Sequence, residues 1–280
     1  MQREATTREI ELATTLHPAA DWNAAHVDTG GQFHEVLVAP GEAVMRMSRT
    51  PEAAAAMQRR VDLIQALEGQ FSFLLPSALG RVWHDAGFSA VIQRYVPGAA
   101  HLPHAGDITA LRGVLAELAA VDLGPLEGLL APPFTFGGPW TPDKIESTLE
   151  VLPQNLAVAA QQVLDAVDSF AEVPASLVHG DLAGHNMRWR EGKLLGVIDW
   201  DLAAAWDPAL NTAYLASWHG HDFIEAIAPS AQEAWRARIW LGAMGLESVF
   251  DASLDPQRDL SSLISKIAPR LFRAAEVARG

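Results

Sequence analysis

Apolar and polar positions alternate in short runs over roughly the first hundred residues, a pattern typical of β-strands separated by turns. Two helical segments interrupt it. Thr6 and Glu9 have the spacing of a capping box ahead of an apolar stripe, so a helix is predicted over 6–16. A second helix is predicted over 51–68, because Thr50 and Pro51 suit its first positions. The predicted strands of this half are 32–38, 43–48, 82–84 and 88–95.

Beyond Pro97 and Gly98 the apolar residues recur at helical spacing. A Pro- and Gly-rich connection over 124–142 and a strand–loop–strand segment interrupt this helical half. The predicted helices are 107–122, 143–151, 153–170, 208–218, 221–227, 230–250 and 257–278, and the short strands are 177–178, 187–190 and 194–198. The order predicts an α+β chain with a small β-rich lobe over 1–96, a hinge near 93–98 and a helical lobe over 97–280. A ligand is expected in the cleft between two such lobes.

Composition narrows the classes of partner. The chain of 280 residues carries a formal net charge of −14, which disfavours nucleic acid and anionic membranes as partners. An acidic surface can attract small cations, although solubility alone can account for it. The absence of cysteine excludes disulfides, thiolate metal sites and cysteine nucleophiles. Neither an apolar leader nor a run of 18 apolar residues is visible, so we expect a soluble, cytoplasmic protein.

The segment 177–201 holds the most informative residues. Asp181 and Asn186 have the D-x-x-x-x-N spacing of a kinase catalytic loop, and Asp199 ends the next apolar strand. Asp201 faces the same way as Asp199 if that strand continues. One carboxylate could accept the proton of an attacking hydroxyl, while Asn186 and Asp199 could hold Mg²⁺. The alternative is a tight turn without chemistry, which the combined spacing makes less attractive.

These residues resemble the aminoglycoside phosphotransferase family of small-molecule kinases. The resemblance is carried by four short motifs and extends along essentially the whole chain. They are His179-Gly180-Asp181-Leu182, Asn186, Ile198-Asp199-Trp200-Asp201 and Asp207-Pro208-Ala209. Within the family, segments 31–34 and 197–201 look most like the viomycin and capreomycin phosphotransferases, with the macrolide phosphotransferases next.

The resemblance implies a protein-kinase-like bilobal fold that uses ATP or GTP with Mg²⁺. Asp181 would be the catalytic base, and Asn186 and Asp199 would bind Mg²⁺. His179 would shape the loop, and Asp207 would support the helical lobe. The family usually has a second aspartate near position 211, where this chain has asparagine. We expect that exchange to alter a structural hydrogen bond rather than catalysis.

The positively charged residue expected on the third strand of the nucleotide-binding lobe departs from the kinase pattern. A kinase places lysine on its third strand, and by resemblance Arg46 stands there and would bind phosphate, with Arg49 a weaker candidate. Arg46 alternates with apolar neighbours, so it should point away from them, although a solvated strand arginine would show the same pattern. The glutamate partner expected on the next helix is unclear. Arg60 falls at that place, and Glu52 and Asp62 are only candidates.

Two further segments are candidates for nucleotide binding. Gly30 and Gly31 could let the backbone approach phosphate, or could serve a hairpin that needs no ligand. By resemblance, Gln93, Arg94 and Tyr95 form the interlobe hinge, whose backbone would pair with the adenine base.

The acceptor is expected to bind to the helical half. A small cationic molecule with a hydroxyl group would suit its acidic and aromatic residues, and the helix residues Trp235 and Trp240 fit a core better. His219, His221 and Asp222 resemble a polar turn more than a metal site. The candidate substrate residues are Asp201, His185, Trp206, Asp222 and Glu225.

Three functions are compatible with the sequence. The leading hypothesis is a resistance kinase for a cationic antibiotic such as a tuberactinomycin peptide, an aminoglycoside or a macrolide. A metabolic kinase of an amino alcohol or sugar would use the same phosphate machinery. A nucleotide-binding pseudokinase would explain the missing lysine, but the set of Asp181, Asn186 and Asp199 is complete. We expect a monomer or weak dimer.

Overall fold

The computed structural model describes residues 2–31, 33–133 and 140–279. The predicted strand start at position 32 and part of the predicted connection, 134–139, lie outside the described residues. The chain divides into two compact units. The first contains 1–100, 124–129 and 185–201, and the second contains 101–123, 130–184 and 202–280.

The first unit is built on a six-stranded antiparallel sheet with strand order β1-β2-β3-β4-β6-β5. Long pairings hold its centre, where Val36 lies opposite Arg46 and Arg46 lies opposite Val91. The strands are β1 (Gln2–Glu4), β2 (His26–Asp28), β3 (His34–Ala39), β4 (Ala43–Ser48), β5 (Trp83–Asp85) and β6 (Phe88–Arg94).

Two helices and a hairpin complete this unit. The helices are α1 (Thr7–Leu16) and α2 (Pro51–Leu67), and the hairpin strands are β8 (Met187–Arg190) and β9 (Lys193–Val197). Thr6 closes the predicted capping box with Glu9, and Thr50 caps α2 through the Ala53 N–H. One face of the sheet packs into a core that includes Trp22, Leu37, Met45, Met47 and Ile92. The other face carries Val36, Val38 and Val44 together with the polar residues Arg46 and Gln93.

The second unit is mainly helical. Its largest core joins the long helices and includes Val163, Phe170, Trp240 and Leu271. A two-stranded antiparallel sheet pairs β7 (Ser176–Val178) with β10 (Ala204–Trp206). The helices are α3 (Ile108–Ala119), α4 (Pro142–Glu150), α5 (Gln154–Asp168), α6 (Ala209–His219), α7 (Phe223–Ile227), α8 (Ala231–Ser253) and α9 (Leu260–Arg279).

The predicted elements agree with the observed ones to within a few residues, and the α+β class is confirmed. The sequence patterns did not predict β1, β2 and β10, since a three-residue strand carries too little alternation to be recognised. In the described part of the chain, none of the helices combines the length and apolarity needed to cross a bilayer.

Candidate active site

A pocket of about 340 Å³ opens in the first unit, on the face of the sheet opposite the core. Its wall gathers residues from the sheet, from the segment after β6 and from the chain just beyond β9. Most of the candidate cofactor residues lie on this wall, while Gly30 is not among the lining residues. The predicted residues that line it are Gly31, Arg46, Gln93, Arg94, Tyr95, Asp199 and Asp201.

Arg46 occupies the centre of this wall. Its neighbours Met45 and Met47 are buried in the core on the opposite face, so the alternation predicted for β4 is confirmed. The Arg46 side chain is only 12% exposed, and its Nη2 donates to Asp199 Oδ1 at 3.0 Å and to Asp201 Oδ2 at 2.7 Å. These carboxylates raise the pKa of Arg46 against the lowering effect of burial, so the guanidinium stays charged.

Asp199 and Asp201 both face the Arg46 guanidinium, but they do not lie on a continuation of strand β9, which was the arrangement expected from the sequence. The strand β9 ends at Val197, and Asp199 has a φ of 63°, so the strand does not continue through them. The two carboxylates also differ in exposure, at 48% for Asp199 and 5% for Asp201. Asp199 can therefore meet a ligand in the pocket, while Asp201 is part of the wall.

His34 and Arg60 complete this cluster, and neither was among the predicted site residues. Arg60 Nη1 lies 3.3 Å from Asp201 Oδ2 and 2.8 Å from His34 Nε2. Burial is the largest cause of a pKa of about 2 for His34, and the charges of Arg46 and Arg60 contribute in the same direction. His34 is therefore neutral. The place of Arg60 on α2 and the resemblance carried by segment 31–34 point to these two positions, but neither signal indicates a contact with Asp201.

Position 31 has no room for a side chain. A Cβ atom there would lie 2.6 Å from the carbonyl oxygen of His34, which is inside van der Waals contact. Arg49 donates to the Gly31 carbonyl at 2.7 Å and pairs with Glu35 at 3.2 Å. Arg49 thus holds the glycine loop and does not line the pocket, whereas Arg46 does.

The hairpin β8–β9 brings Asn186 and Asp199 to the same end of the first unit. The Ile198 N–H donates to the Asn186 carbonyl at 2.9 Å, and the Asn186 side chain is 4% exposed. His185 is exposed beside it. An amide and a carboxylate supply two hard oxygen ligands, which suits Mg²⁺ because it takes most of its remaining ligands from phosphate and water. In the described ranges, no three His, Cys, Asp or Glu side chains are grouped to hold a metal.

Asp181 belongs to the second unit and follows a constrained turn. Gly180 has a φ of 83°, and a Cβ there would lie 2.2 Å from the Leu202 carbonyl oxygen, so only glycine fits. His179 is fully buried, and its Nδ1 accepts from the Asp181 N–H at 3.2 Å. His179 therefore shapes the loop, as the resemblance implied.

Asn211 forms hydrogen bonds to the backbone at the start of this loop. Its Oδ1 accepts from the His179 N–H at 3.0 Å, and its Nδ2 donates to the Leu177 carbonyl at 2.9 Å. An aspartate could make the first bond but would place an anionic oxygen against the Leu177 carbonyl. Asn211 therefore has a structural hydrogen-bonding role in this loop.

We predict that Asn211→Asp lowers the free energy of unfolding by about 1–3 kcal/mol at pH 8, because a buried acceptor loses its donor. Denaturant unfolding from pH 5 to pH 8 measures the effect. The deficit should shrink at low pH, where a protonated aspartate can donate to Leu177. Equal stability of both proteins at pH 8 would contradict this account of Asn211.

A small cavity of about 40 Å³ lies in the second unit next to Gly180. Trp206, Tyr214, Trp240 and Glu247 line it. Trp240 belongs to the core, as predicted, and Trp206 packs against it with ring centroids 5.0 Å apart. Burial raises the pKa of Tyr214, so its hydroxyl stays protonated.

Glu247 is the acidic group of this cavity, and the predictions did not include it among the site residues. Burial is the largest influence on its carboxyl and raises the pKa to about 7. Lys144 opposes this shift, and its Nζ lies over the Trp140 ring at 4.4 Å. Within the described part of the chain, no hydrogen-bond donor reaches Glu247 Oε1. The carboxylate therefore has one oxygen without a hydrogen bond beside an aromatic wall.

The remaining acceptor candidates lie on α7 and at its start. Asp222 and Glu225 are both exposed, and Glu225 forms an ion pair with Arg238. Neither residue lines the small cavity. Burial lowers the pKa of nearby His219 and His221, which keeps both rings neutral.

Comparison with known proteins gives three consistent results. A profile of the APH phosphotransferase enzyme family matches residues 28–246. Viomycin phosphotransferase of Streptomyces vinaceus is 28% identical over 215 residues, which are 69% of this chain and 73% of that protein.

Two solved structures show the same fold at low sequence identity. The GDP and kanamycin complex of APH(2″)-IIia has a TM-score of 0.76 and 17% identity, and the match covers 95% of this chain and 98% of that chain. Macrolide 2′-phosphotransferase MphH from Brachybacterium faecium has a TM-score of 0.66 and 17% identity, with 95% and 98% covered. These matches confirm the predicted kinase-like fold.

Proposed function

The chain belongs to the APH phosphotransferase enzyme family, and from that premise we propose that it transfers a phosphoryl group from ATP or GTP to a hydroxyl of a small cationic antibiotic. The observation that carries the proposal is the pairing of Arg46 with Asp199 on the wall of the 340 Å³ pocket. A fixed cation for phosphate next to an exposed carboxylate for Mg²⁺ is the arrangement that phosphoryl transfer requires.

On the nucleotide side, Arg46 would hold the phosphates, and its planar fork suits bidentate binding of their oxygens. Gly31 and the segment Gln93–Arg94–Tyr95 line the same pocket and would contact the nucleotide, with Gly30 beside them. Asn186 and Asp199 would hold Mg²⁺, which neutralises charge on the phosphate oxygens when bound. We place the reaction in the cytoplasm, where nucleoside triphosphates are abundant.

On the acceptor side, Asp181 would take the hydroxyl proton as the oxygen attacks the terminal phosphorus. The new oxygen–phosphorus bond forms while the bond to the leaving nucleoside diphosphate breaks. Gly180 and His179 restrict the Asp181 backbone, which favours a fixed direction of attack.

A cationic acceptor is supported by Glu247 and its aromatic surroundings. An ammonium group could neutralise the buried carboxylate, and Trp206 offers a ring face for the same charge. Asp222, Glu225 and His185 are exposed and would serve a larger acceptor. Asp201 is the weakest of the predicted acceptor residues, because its carboxylate is buried against two arginines. The names of the relatives, which refer to viomycin, kanamycin and macrolides, point to the same chemical class.

The test is a coupled assay of nucleoside diphosphate release with ATP or GTP and a panel of acceptors. Viomycin, capreomycin, aminoglycosides, macrolides, amino alcohols and sugars should each be tried at saturating nucleotide. Release that depends on a cationic antibiotic supports the proposal. Release with an amino alcohol or sugar alone would indicate a metabolic kinase, and nucleotide binding without any turnover would indicate a pseudokinase.

We predict that the KM for a cationic acceptor falls about tenfold between pH 6 and pH 8, because Glu247 ionises with a pKa of about 7. The acceptor should bind the ionised carboxylate and release a proton. Initial rates at saturating nucleotide across this range measure the effect. Glu247→Gln should flatten the pH dependence while leaving the nucleotide KM unchanged. A variant that keeps the wild-type pH profile would exclude Glu247 from acceptor binding.

A further inference from the structure

A buried ion cluster connects helix α2 to Arg46 in the first unit. One oxygen of Asp201, Oδ2, lies 2.7 Å from Arg46 Nη2 and 3.3 Å from Arg60 Nη1. All three side chains are largely shielded from water, at 5% exposure for Asp201, 12% for Arg46 and 14% for Arg60. Arg60 therefore depends on this carboxylate, because a buried charge without a partner is strongly unfavourable, while Arg46 pairs with both Asp201 and Asp199.

The order of charges in this cluster is the reverse of the arrangement in protein kinases. There, a glutamate on the helix pairs directly with the strand cation. Here the acidic residues of α2 point elsewhere, since Glu52 interacts with Thr50 and Asp62 accepts from Gln58 at 2.8 Å. The residue of α2 that approaches the strand cation is Arg60, and a second cation cannot pair with Arg46. Asp201 lies between them.

Asp199 and Asp201 differ in what they are available to bind. Asp199 is half exposed and available to a ligand, whereas Asp201 is buried and bound to both arginines. If Asp199 turns to another cation, Asp201 is the carboxylate that still holds Arg46. Two guanidinium groups then face one carboxylate, which leaves the site one positive charge in excess for the phosphates.

We propose that Asp201 is the positioning residue of Arg46 and that Arg60 acts through Asp201, so that a relay from α2 prepares the site for the nucleotide phosphates. The proposal rests on the function proposed above and goes beyond it. It replaces the expected contact of Asp201 with the acceptor. Without Asp201, Arg46 would pair with Asp199 alone and would compete with Mg²⁺ for that carboxylate.

The test measures ADP or GDP binding by calorimetry, without acceptor and at several Mg²⁺ concentrations. Asp201→Asn is expected to weaken binding by about 10- to 100-fold and to raise the Mg²⁺ concentration needed for half-maximal binding. Arg60→Met should weaken binding by about 3- to 10-fold, and Arg60→Lys should recover most of that loss because it keeps the charge. The double variant should bind about as weakly as Asp201→Asn alone, because Arg60 acts through Asp201.

Arg59→Met is the matched control. It removes a positive charge from the neighbouring position of α2, where Arg59 donates to the Leu129 carbonyl instead of an acid. Its nucleotide affinity should equal that of the wild type, and thermal melting shows whether each variant is folded. If Asp201→Asn does not fold, the Arg60→Met and Arg60→Lys pair still tests the relay.

Three results would overturn the inference. The first is an Asp201→Asn protein that binds nucleotide normally and raises only the acceptor KM, which would return Asp201 to the acceptor site. The second is a double variant in which the losses of the two single variants add, which would make Arg60 independent of Asp201. The third is an Arg60→Met protein that binds nucleotide as tightly as the wild type. A wild-type protein that binds neither nucleotide would instead overturn the proposed function and this inference with it.

Discussion

Replacing Asp181 by asparagine is expected to lower kcat for phosphoryl transfer by about a thousandfold, the usual contribution of a positioned general base. Asparagine keeps the size of the side chain and can still orient a hydroxyl, but it cannot take a proton. The nucleotide KM should change little, because the phosphate-binding residues proposed above lie elsewhere in the chain. Initial rates with the best acceptor of the panel measure kcat and both KM values.

The matched control for this variant is Asp168→Asn, the same chemical change at the exposed last residue of α5. It should retain wild-type rates. Nucleotide binding by calorimetry and thermal melting should be the same for Asp181→Asn as for the wild type, which separates catalysis from folding. An Asp181→Asn protein that turns over at more than about a tenth of the wild-type rate would rule out Asp181 as the catalytic base.

The fold was predictable where its causes are local. The capping box of Thr6 with Glu9 and the cap at Thr50 both mark helix starts within a few residues, and the structure has both. The alternation of Met45, Arg46 and Met47 likewise gave the two faces of β4 before any pairing was known.

The elements that the sequence did not predict depend on distant pairing. The strand β10 consists of three residues, Ala204–Trp206, and exists because it pairs with Ser176–Val178. Its own residues alternate too briefly to separate a strand from a loop. The same limit applies to β1 and β2, the three-residue strands Gln2–Glu4 and His26–Asp28, which pair with each other. A pattern of local polarity contains no information about such partners.

The candidate site likewise contains residues that the local sequence predicts and residues whose roles depend on distant contacts. Asp181, Asn186 and Asp199 could be proposed from their spacing, because phosphoryl transfer sets which residue types must follow one another in that loop. The partners of Arg46 could not be proposed, because Asp201 lies 155 positions later in the chain. The buried position of Glu247 is likewise a product of packing. Its charge was visible in the sequence, but the raised pKa was not.

Asp207→Ala is expected to lower the free energy of unfolding by about 3–5 kcal/mol, the usual effect of removing one partner from a buried ion pair. The Asp207 side chain is 1% exposed and accepts from Arg236 Nε at 2.9 Å and from Trp240 Nε1 at 2.8 Å. Its loss leaves the Arg236 guanidinium, itself 11% exposed, without its carboxylate. Urea unfolding followed by tryptophan fluorescence measures the change.

Two further variants show where this energy comes from. Arg236→Met alone leaves a buried carboxylate without its cation, so it should also be costly, but the double variant should lose less than the sum of the two. Asp255→Ala is the control, because Asp255 is 49% exposed and its pair with Arg258 at 3.7 Å should contribute less than about 1 kcal/mol. If Asp207→Ala cost no more than Asp255→Ala, the first turns of α6 and α8 would not depend on this carboxylate. The support that Asp207 gives to the helical unit would then have to come from packing alone.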